Sequence, residues 1–253
     1  MMPDVGGAET SHADCLVDIR DLKIQLGGDR QKFIIHVPSL SIRKSDRIAI
    51  IGESGSGKST LLDVLSLVRM ATQARVFNVQ FGAKKFDVRP GDDSTESKLI
   101  NRLRRDYIGY VPQIGGLVSA LTVWDNITMP MRLRGKFDGA IARDIAQRLG
   151  IEAQLEKHPK NLSVGQRQRV AIARSMCGRP GLIAADEPTA ALDPINARGA
   201  IKSLIECASL SDAAVLIVSH HVEQLTSRGF SVLKPIIELR QGGSEIHSTF
   251  SMV

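Results

Sequence analysis

Cysteine is scarce. Cys15, Cys177 and Cys207 are the only three in 253 residues, too few and too scattered for a disulfide framework or a zinc site. A reducing compartment is the simple reading. Long apolar runs are absent as well: Ala213–Val218 and Arg47–Ile51 with its flanks fall far short of the ~18 residues that span a bilayer. The first fourteen residues hold Asp4, Glu9 and Asp14 but neither a basic stretch nor an apolar segment, so no secretory signal is read there. The chain is expected neither to cross a membrane nor to be exported by the usual route. Internal repeats and low-complexity tracts are also lacking. Charge of one sign is only mildly in excess, 33 Lys and Arg against 27 Asp and Glu, or +6. That suits a solvated surface, nucleic acid, anionic lipid or an acidic partner, and selects none of them.

What remains is an ordinary globular composition, 43% hydrophobic and 24% charged, long enough to bury a substantial core. Residues 1–14, rich in Gly, Ala, Ser and acidic side chains, read as a loose tail, and 15–253 as the folded domain. Leu16, Ile19, Leu22, Ile24 and Leu26 mark a strand ending in a Gly27-Gly28-Asp29 turn. Phe33–Val37 and Leu40–Ile42 read as two further short strands, so an antiparallel sheet is expected near the N-terminus. Arg47–Ile51 reads as a buried parallel strand, and Thr60–Val68 as an amphipathic helix. Val76–Val88 alternates weakly, Arg89–Asp93 is a loop, and Ser97–Arg105 a helix. Ile141, Ile145 and Leu149 share a helical face that Gly150 terminates. The last third alternates helix (Gln166–Cys177, Asn196–Ala208) with buried strand (Leu182–Ala185, Ala213–Val218), the mark of an α/β fold with a largely parallel sheet.

The strongest motif is Gly52-Glu53-Ser54-Gly55-Ser56-Gly57-Lys58-Ser59, which fits G-x-x-x-x-G-K-[ST] between a strand and a helix. Glycines let backbone N–H groups wrap phosphates, and the following helix adds the positive end of its dipole. Lys58 is placed to neutralise β- and γ-phosphates, and the Ser59 hydroxyl to ligate Mg²⁺. Asp186 and Glu187 close the apolar run Gly181–Ala185, at the strand end where ligands bind in such sheets. Asp186 is then a candidate for Mg²⁺ and Glu187 for polarising water, although a helix N-cap would also explain an acidic pair. Ser163 and the Gly165 amide precede a clear helix and form a second N-terminus suited to an anion. One chain with two such sites suggests that the second faces the nucleotide of another copy; a plain Ser N-cap is the alternative.

The phosphate loop, Tyr110-Val111-Pro112-Gln113, the stretch Leu162–Arg169, Ala185-Asp186-Glu187-Pro188-Thr189, Ala191-Leu192-Asp193 and Val218-Ser219-His220 occur in the order of the ATP-binding cassette ATPases. The chain resembles that family from Leu16 to about Gly242. Ala185–Thr189, Leu121–Ile127 and Met129-Pro130-Met131 resemble the branch of lipoprotein release, macrolide efflux and cell division. The resemblance implies a P-loop α/β nucleotide-binding domain with an N-terminal antiparallel β subdomain and a helical subdomain. It implies ATP and Mg²⁺, with ATP held by Gly52 through Ser59, by Thr60, and by Ser163, Gly165, Gln166 and Asp193. Mg²⁺ would fall to Ser59, Gln113 and Asp186. Glu187 would be the general base, with Gln113 touching Mg²⁺ or water and His220 touching the γ-phosphate. Asp193 would lie at a dimer seam; His221 carries no role.

The same likeness implies a peripheral subunit on the cytoplasmic face of the inner membrane. It would pair head to tail with a second copy or a homologous ATPase and drive a separate transmembrane permease. Nucleic acid is not expected. A soluble ATPase acting on nucleic acid, which would bind it salt-sensitively, and a regulatory or structural ATP-binder are the competing readings. Two positions depart from the family. Val164 replaces a signature glycine, and a β-branched residue there requires an ordinary backbone. Leu26 stands where the family stacks adenine on an aromatic ring, with Phe33 the only aromatic nearby, which weakens the case for strict selection of ATP over GTP.

Overall fold

Strands β1 (Cys15–Gly28) and β2 (Gln31–Arg43) form a long antiparallel ladder whose inward faces show why they pair. Val17 and Ile19 are buried on β1, then Leu22 and Ile24; on β2 the buried residues are Ile35 and Val37, then Leu40 and Ile42. Both rows skip a beat at the same place. Asp21, in the left-handed region with φ 48°, lies in the register gap between Arg20↔Ser39 and Leu22↔Val37, across from Pro38. The expected pair of short strands is therefore one 13-residue strand. Its pattern breaks because both strands shift phase together. Pro38, which has no N–H to give, is tolerated because the other neighbour of β2 ends its pairing opposite His36.

The computed structural model describes residues 14–28, 31–88, 94–113, 116–190, 192–220, 222–240 and 244–253. The tail reading (Asp14 apart), the Arg89–Asp93 loop and His221 fall outside these. Strands β4 (Val76–Phe81) and β5 (Lys84–Asp87) make a hairpin beside β1, sharpening the weak alternation there. Strands β3 (Arg47–Ile50), β6 (Ile108–Val111), β7 (Leu182–Asp186) and β8 (Ala214–Val218) are mutually parallel. A closing hairpin, β9 (Ser231–Arg240) and β10 (Glu245–Met252), pairs β3 on one side and β2 on the other. The antiparallel and parallel parts thus merge into one ten-stranded sheet, β5-β4-β1-β2-β10-β9-β3-β8-β7-β6.

Alternate residues of the parallel strands feed two cores. Leu182, Ala184, Leu216 and Val218 pack with helix α1 (Lys58–Leu65), while Ile183, Ala185, Val215 and Ile217 pack with the helices of residues 123–209. Helix α2 spans Ser94–Tyr107, α3 Val123–Leu133, α4 Gly139–Arg148, α5 Val164–Cys177, α6 Pro194–Ser209 and α7 Val222–Thr226. Burial on both faces explains why these strands read as unbroken apolar runs. Helices α1, α2, α5 and α6 all begin two or three residues earlier than the sequence pattern predicts. α1 starts at Lys58 because Gly57 caps it, and α5 at Val164 because Ser163 caps it. α1 also ends early, at Leu65, and Leu67 leaves it with φ 58°.

Candidate functional site

The parallel strands all deliver their next residues to the same edge of the sheet, where open α/β folds bind ligands. After β3 comes the Gly52–Gly57 loop. It wraps tightly enough that Gly57, at φ 92°, leaves no room for a side chain: an added Cβ would sit 2.6 Å from Ile35 Cδ1. Lys58 opens α1 and is buried, its Nζ donating to the carbonyls of Gly52 at 3.0 Å and Glu53 at 2.7 Å. Burial lowers its pKa, while the carboxylates of Glu187 and Asp186 act to raise it. Ser59 Oγ donates to Asp186 Oδ1 at 3.1 Å. Burial raises the Asp186 pKa, and the Ser59 hydrogen bond works against that rise.

Glu187 leaves β7 in the left-handed region, φ 42°, with its amide held by the Val218 carbonyl at 3.0 Å. That turn aims its carboxylate between two other strand ends. Gln113, after β6, donates Nε2 to Oε2 at 3.1 Å, and His220, after β8, has Nε2 2.8 Å from Oε1. Lys58, Ser59, Gln113, Asp186, Glu187 and His220 therefore lie together at this edge of the sheet. Two further residues border this cluster: Tyr110, read in the sequence only as part of a motif with no role of its own, and Asp63, which no motif contains. Tyr110 donates its hydroxyl to Asp63 Oδ1 at 2.8 Å, and burial with that bond pushes the phenol pKa up. Asp63 follows Ser59 by four residues on α1, a spacing that places both on one helical face.

The donors suit Mg²⁺: hard oxygens from a hydroxyl and a carboxylate, with phosphates and water to complete the shell. Among the described residues no group of three or more His, Cys, Asp or Glu is placed to hold a metal without a ligand's help.

Ser163, Gly165, Gln166 and Asp193 gather elsewhere. Ser163 caps α5, its hydroxyl accepting from the Gln166 amide at 3.2 Å while Gln166 Oε1 accepts from the Ser163 amide at 3.0 Å. Val164 takes the first helical position, half exposed, and is not among the residues with positive φ, the ordinary backbone its side chain requires. Asp193 caps α6 through the amides of Ile195 and Asn196, both at 3.1 Å. The two helix starts touch: a Cβ on Gly165 would lie 2.9 Å from Leu192 Cδ2, and Arg169 donates to Asn196. Among the described residues no hydrogen bond or ion pair joins Ser163, Gly165, Gln166 or Asp193 to the phosphate loop. Leu26 and Phe33 face each other across the β1–β2 ladder, and the Phe33 ring borders Gly57.

Comparison with known proteins places this geometry. The ABC transporter family model matches residues 35–190. The lipoprotein-releasing system ATP-binding protein LolD of Alcanivorax borkumensis is 36% identical over 199 residues, covering 78% of this chain and 83% of that protein. The macrolide export ATP-binding/permease protein MacB of Mannheimia succiniciproducens is 32% identical over 231 residues, 90% of this chain but only 34% of that longer protein. Among solved structures, a dimeric ATP-binding cassette in a post-hydrolysis state with ADP and Pi superimposes with a TM-score of 0.71 at 24% identity, covering 91% of this chain and 96% of that one. CbiO1 of Clostridium perfringens, part of an ABC transporter complex, gives 0.69 at 25% identity, covering 92% and 87%.

Proposed function

This chain belongs to the ABC transporter ATPases, and from that premise we propose that it is the ATP-hydrolysing subunit of a membrane complex whose permease is a separate chain. Residues 15–253 act as one nucleotide-binding domain. Two copies, or one copy and a homologous ATPase, close head to tail over two nucleotides, work whose purpose is export, lipoprotein release or mechanical transmission. The observation that carries the reading is the meeting of three strand ends, those of β6, β7 and β8, at one carboxylate. Glu187 sits between Gln113 and His220, on the same sheet edge as Lys58 and the Ser59–Asp186 pair.

Lys58 exchanges its bonds to the loop carbonyls for the β- and γ-phosphate oxygens, which its charge neutralises. Ser59 and Asp186, with Gln113 at the border, would hold Mg²⁺, whose positive charge would offset that of the phosphates. Glu187 accepts a hydrogen bond from a water in line with the γ-phosphorus. The new oxygen–phosphorus bond forms as the bridge to the β-phosphate breaks, and the water proton passes to Glu187, leaving ADP and phosphate. His220 and Gln113 fix the direction of that carboxylate. Ser163, Gly165 and Gln166 of the second copy close over the γ-phosphate with the positive end of α5, and Asp193 lines the seam.

Among the described residues no helix is long and apolar enough to cross a membrane; the peripheral place on the cytoplasmic face of the inner membrane is what membership of the family implies. The relation to a lipoprotein-releasing ATP-binding protein over most of both chains supports a permease on another chain. The test is purification of tagged Glu187→Gln from native membranes with ATP and Mg²⁺. A stoichiometric polytopic protein is the expected companion. Recovery of soluble protein alone, or of nucleic acid, would overturn the reading.

A further inference from the structure

Three strands remote in sequence press on the phosphate loop from behind. Ser248 of β10 is fully buried, and its hydroxyl donates to the Ser56 carbonyl at 2.7 Å across 192 residues of chain. Ile35 of β2, the register partner of Ser248, is the residue a side chain on Gly57 would strike. Pro235 of β9 backs the start of the loop, its Cγ 2.9 Å from where a Cβ on Gly52 would lie.

A trans peptide is planar, so its C=O and the N–H of the next residue point in opposite directions. The Ser56 carbonyl and the Gly57 amide belong to one such unit. A hydroxyl that draws the carbonyl toward β10 therefore turns the amide away from the sheet, toward the mouth of the loop. That amide donates to no protein group among the described residues. Gly57 is the N-cap of α1, at the helix end where free amides meet anions.

We infer that Ser248 is a positioning residue of the nucleotide site: by holding the Ser56 carbonyl it aims the Gly57 amide at a phosphate oxygen. The inference rests on reading Gly52–Ser59 as the phosphate loop and adds to it a residue outside every motif. The ordering of β10 and the grip on phosphate are thereby linked, since the same strand pairs β2 and steadies the loop.

Calorimetric titration of the full chain with Mg·ADP tests it, using wild type, Ser248→Ala and Ser248→Thr. Loss of the hydroxyl is expected to weaken ADP binding about tenfold, the scale of one misaligned hydrogen bond to a charged group. Ser248→Thr restores most of the affinity. In amide NMR spectra the Gly57 proton moves downfield on ADP binding in wild type and much less in Ser248→Ala, while the Ser59 amide responds alike in both. Where Ser248→Ala does not fold, Ser248→Cys, similar in size but a weak donor, serves in its place. A wild type that binds no nucleotide would overturn the phosphate-loop reading itself. Equal ADP affinity, or weaker affinity with an unchanged Gly57 response, would overturn the role of Ser248 alone.

Discussion

The phosphate-loop cluster and the Ser163 cluster satisfy their polar groups in opposite ways. Around the loop, side chains from several strand ends meet and are partly buried, so Lys58 and Asp186 have shifted pKa values. Glu187 is held from two sides. Ser163 and Asp193 instead make local bonds, each a cap onto the next turn of its own helix, and both residues are exposed. The first arrangement depends on the whole fold and carries the groups of the chemistry. The second is complete as a helix start, and among the described residues no hydrogen bond or ion pair ties it to the phosphate loop of its own chain. A site split in this way supports closure between copies.

Substitutions in each cluster break the comparison differently. The largest effect is expected from Lys58→Ala, which should weaken nucleotide binding by about 100-fold or more, because charge-assisted bonds to phosphate are the strong ones. Melting temperature should barely fall, since a buried cation is lost with it; calorimetry and thermal scans together check this. Next, Glu187→Gln should slow hydrolysis about 10²- to 10⁴-fold while ATP affinity stays within a few-fold, as phosphate-release assays and titration would establish. Gly165→Asp places a negative charge at the start of α5, where it suits the helix but repels phosphate. Hydrolysis should drop at least about tenfold with single-chain ADP affinity unchanged; a parallel loss of both would mean that the two clusters are one site.

Asp186 gives a pH test. Burial raises its native pKa above the unfolded value of 3.8, so the folded state binds the extra proton and stability falls as pH rises through that interval. Asp186→Asn should therefore melt higher than wild type at neutral pH without nucleotide. The gap should close as pH falls below the ordinary aspartate range. The smallest effect belongs to Ser163→Ala, a lost cap worth about 1 kcal/mol of stability, measurable by urea unfolding.

Much of this was legible in the sequence because its signals are local. Gly57-Lys58-Ser59 carries its meaning in adjacent residues, and alternating apolar runs announce strands buried on both faces. Other features were hidden because their cause lies elsewhere in the chain. Pro38 reads as a strand break, yet the ladder passes through it once Asp21 across from it yields. Helix α3 contains Pro130 and lacks a clean stripe, although Thr122-x-x-Asp125 is a capping signal. Thr122 does cap it, accepting from the Asp125 amide at 3.1 Å. Ser248 has no local signal at all. Its partner is 192 residues away, and only sheet order brings them together.

The central claim is that the two clusters of one chain complete each other between copies. Analytical ultracentrifugation of Glu187→Gln with and without Mg·ATP, with bound nucleotide counted, tests it most directly. The account predicts a monomer without ATP and, with it, a dimer holding two nucleotides that Gly165→Asp dissolves. A monomer that holds ATP, in a protein whose wild type hydrolyses it at full rate at any dilution, would contradict it.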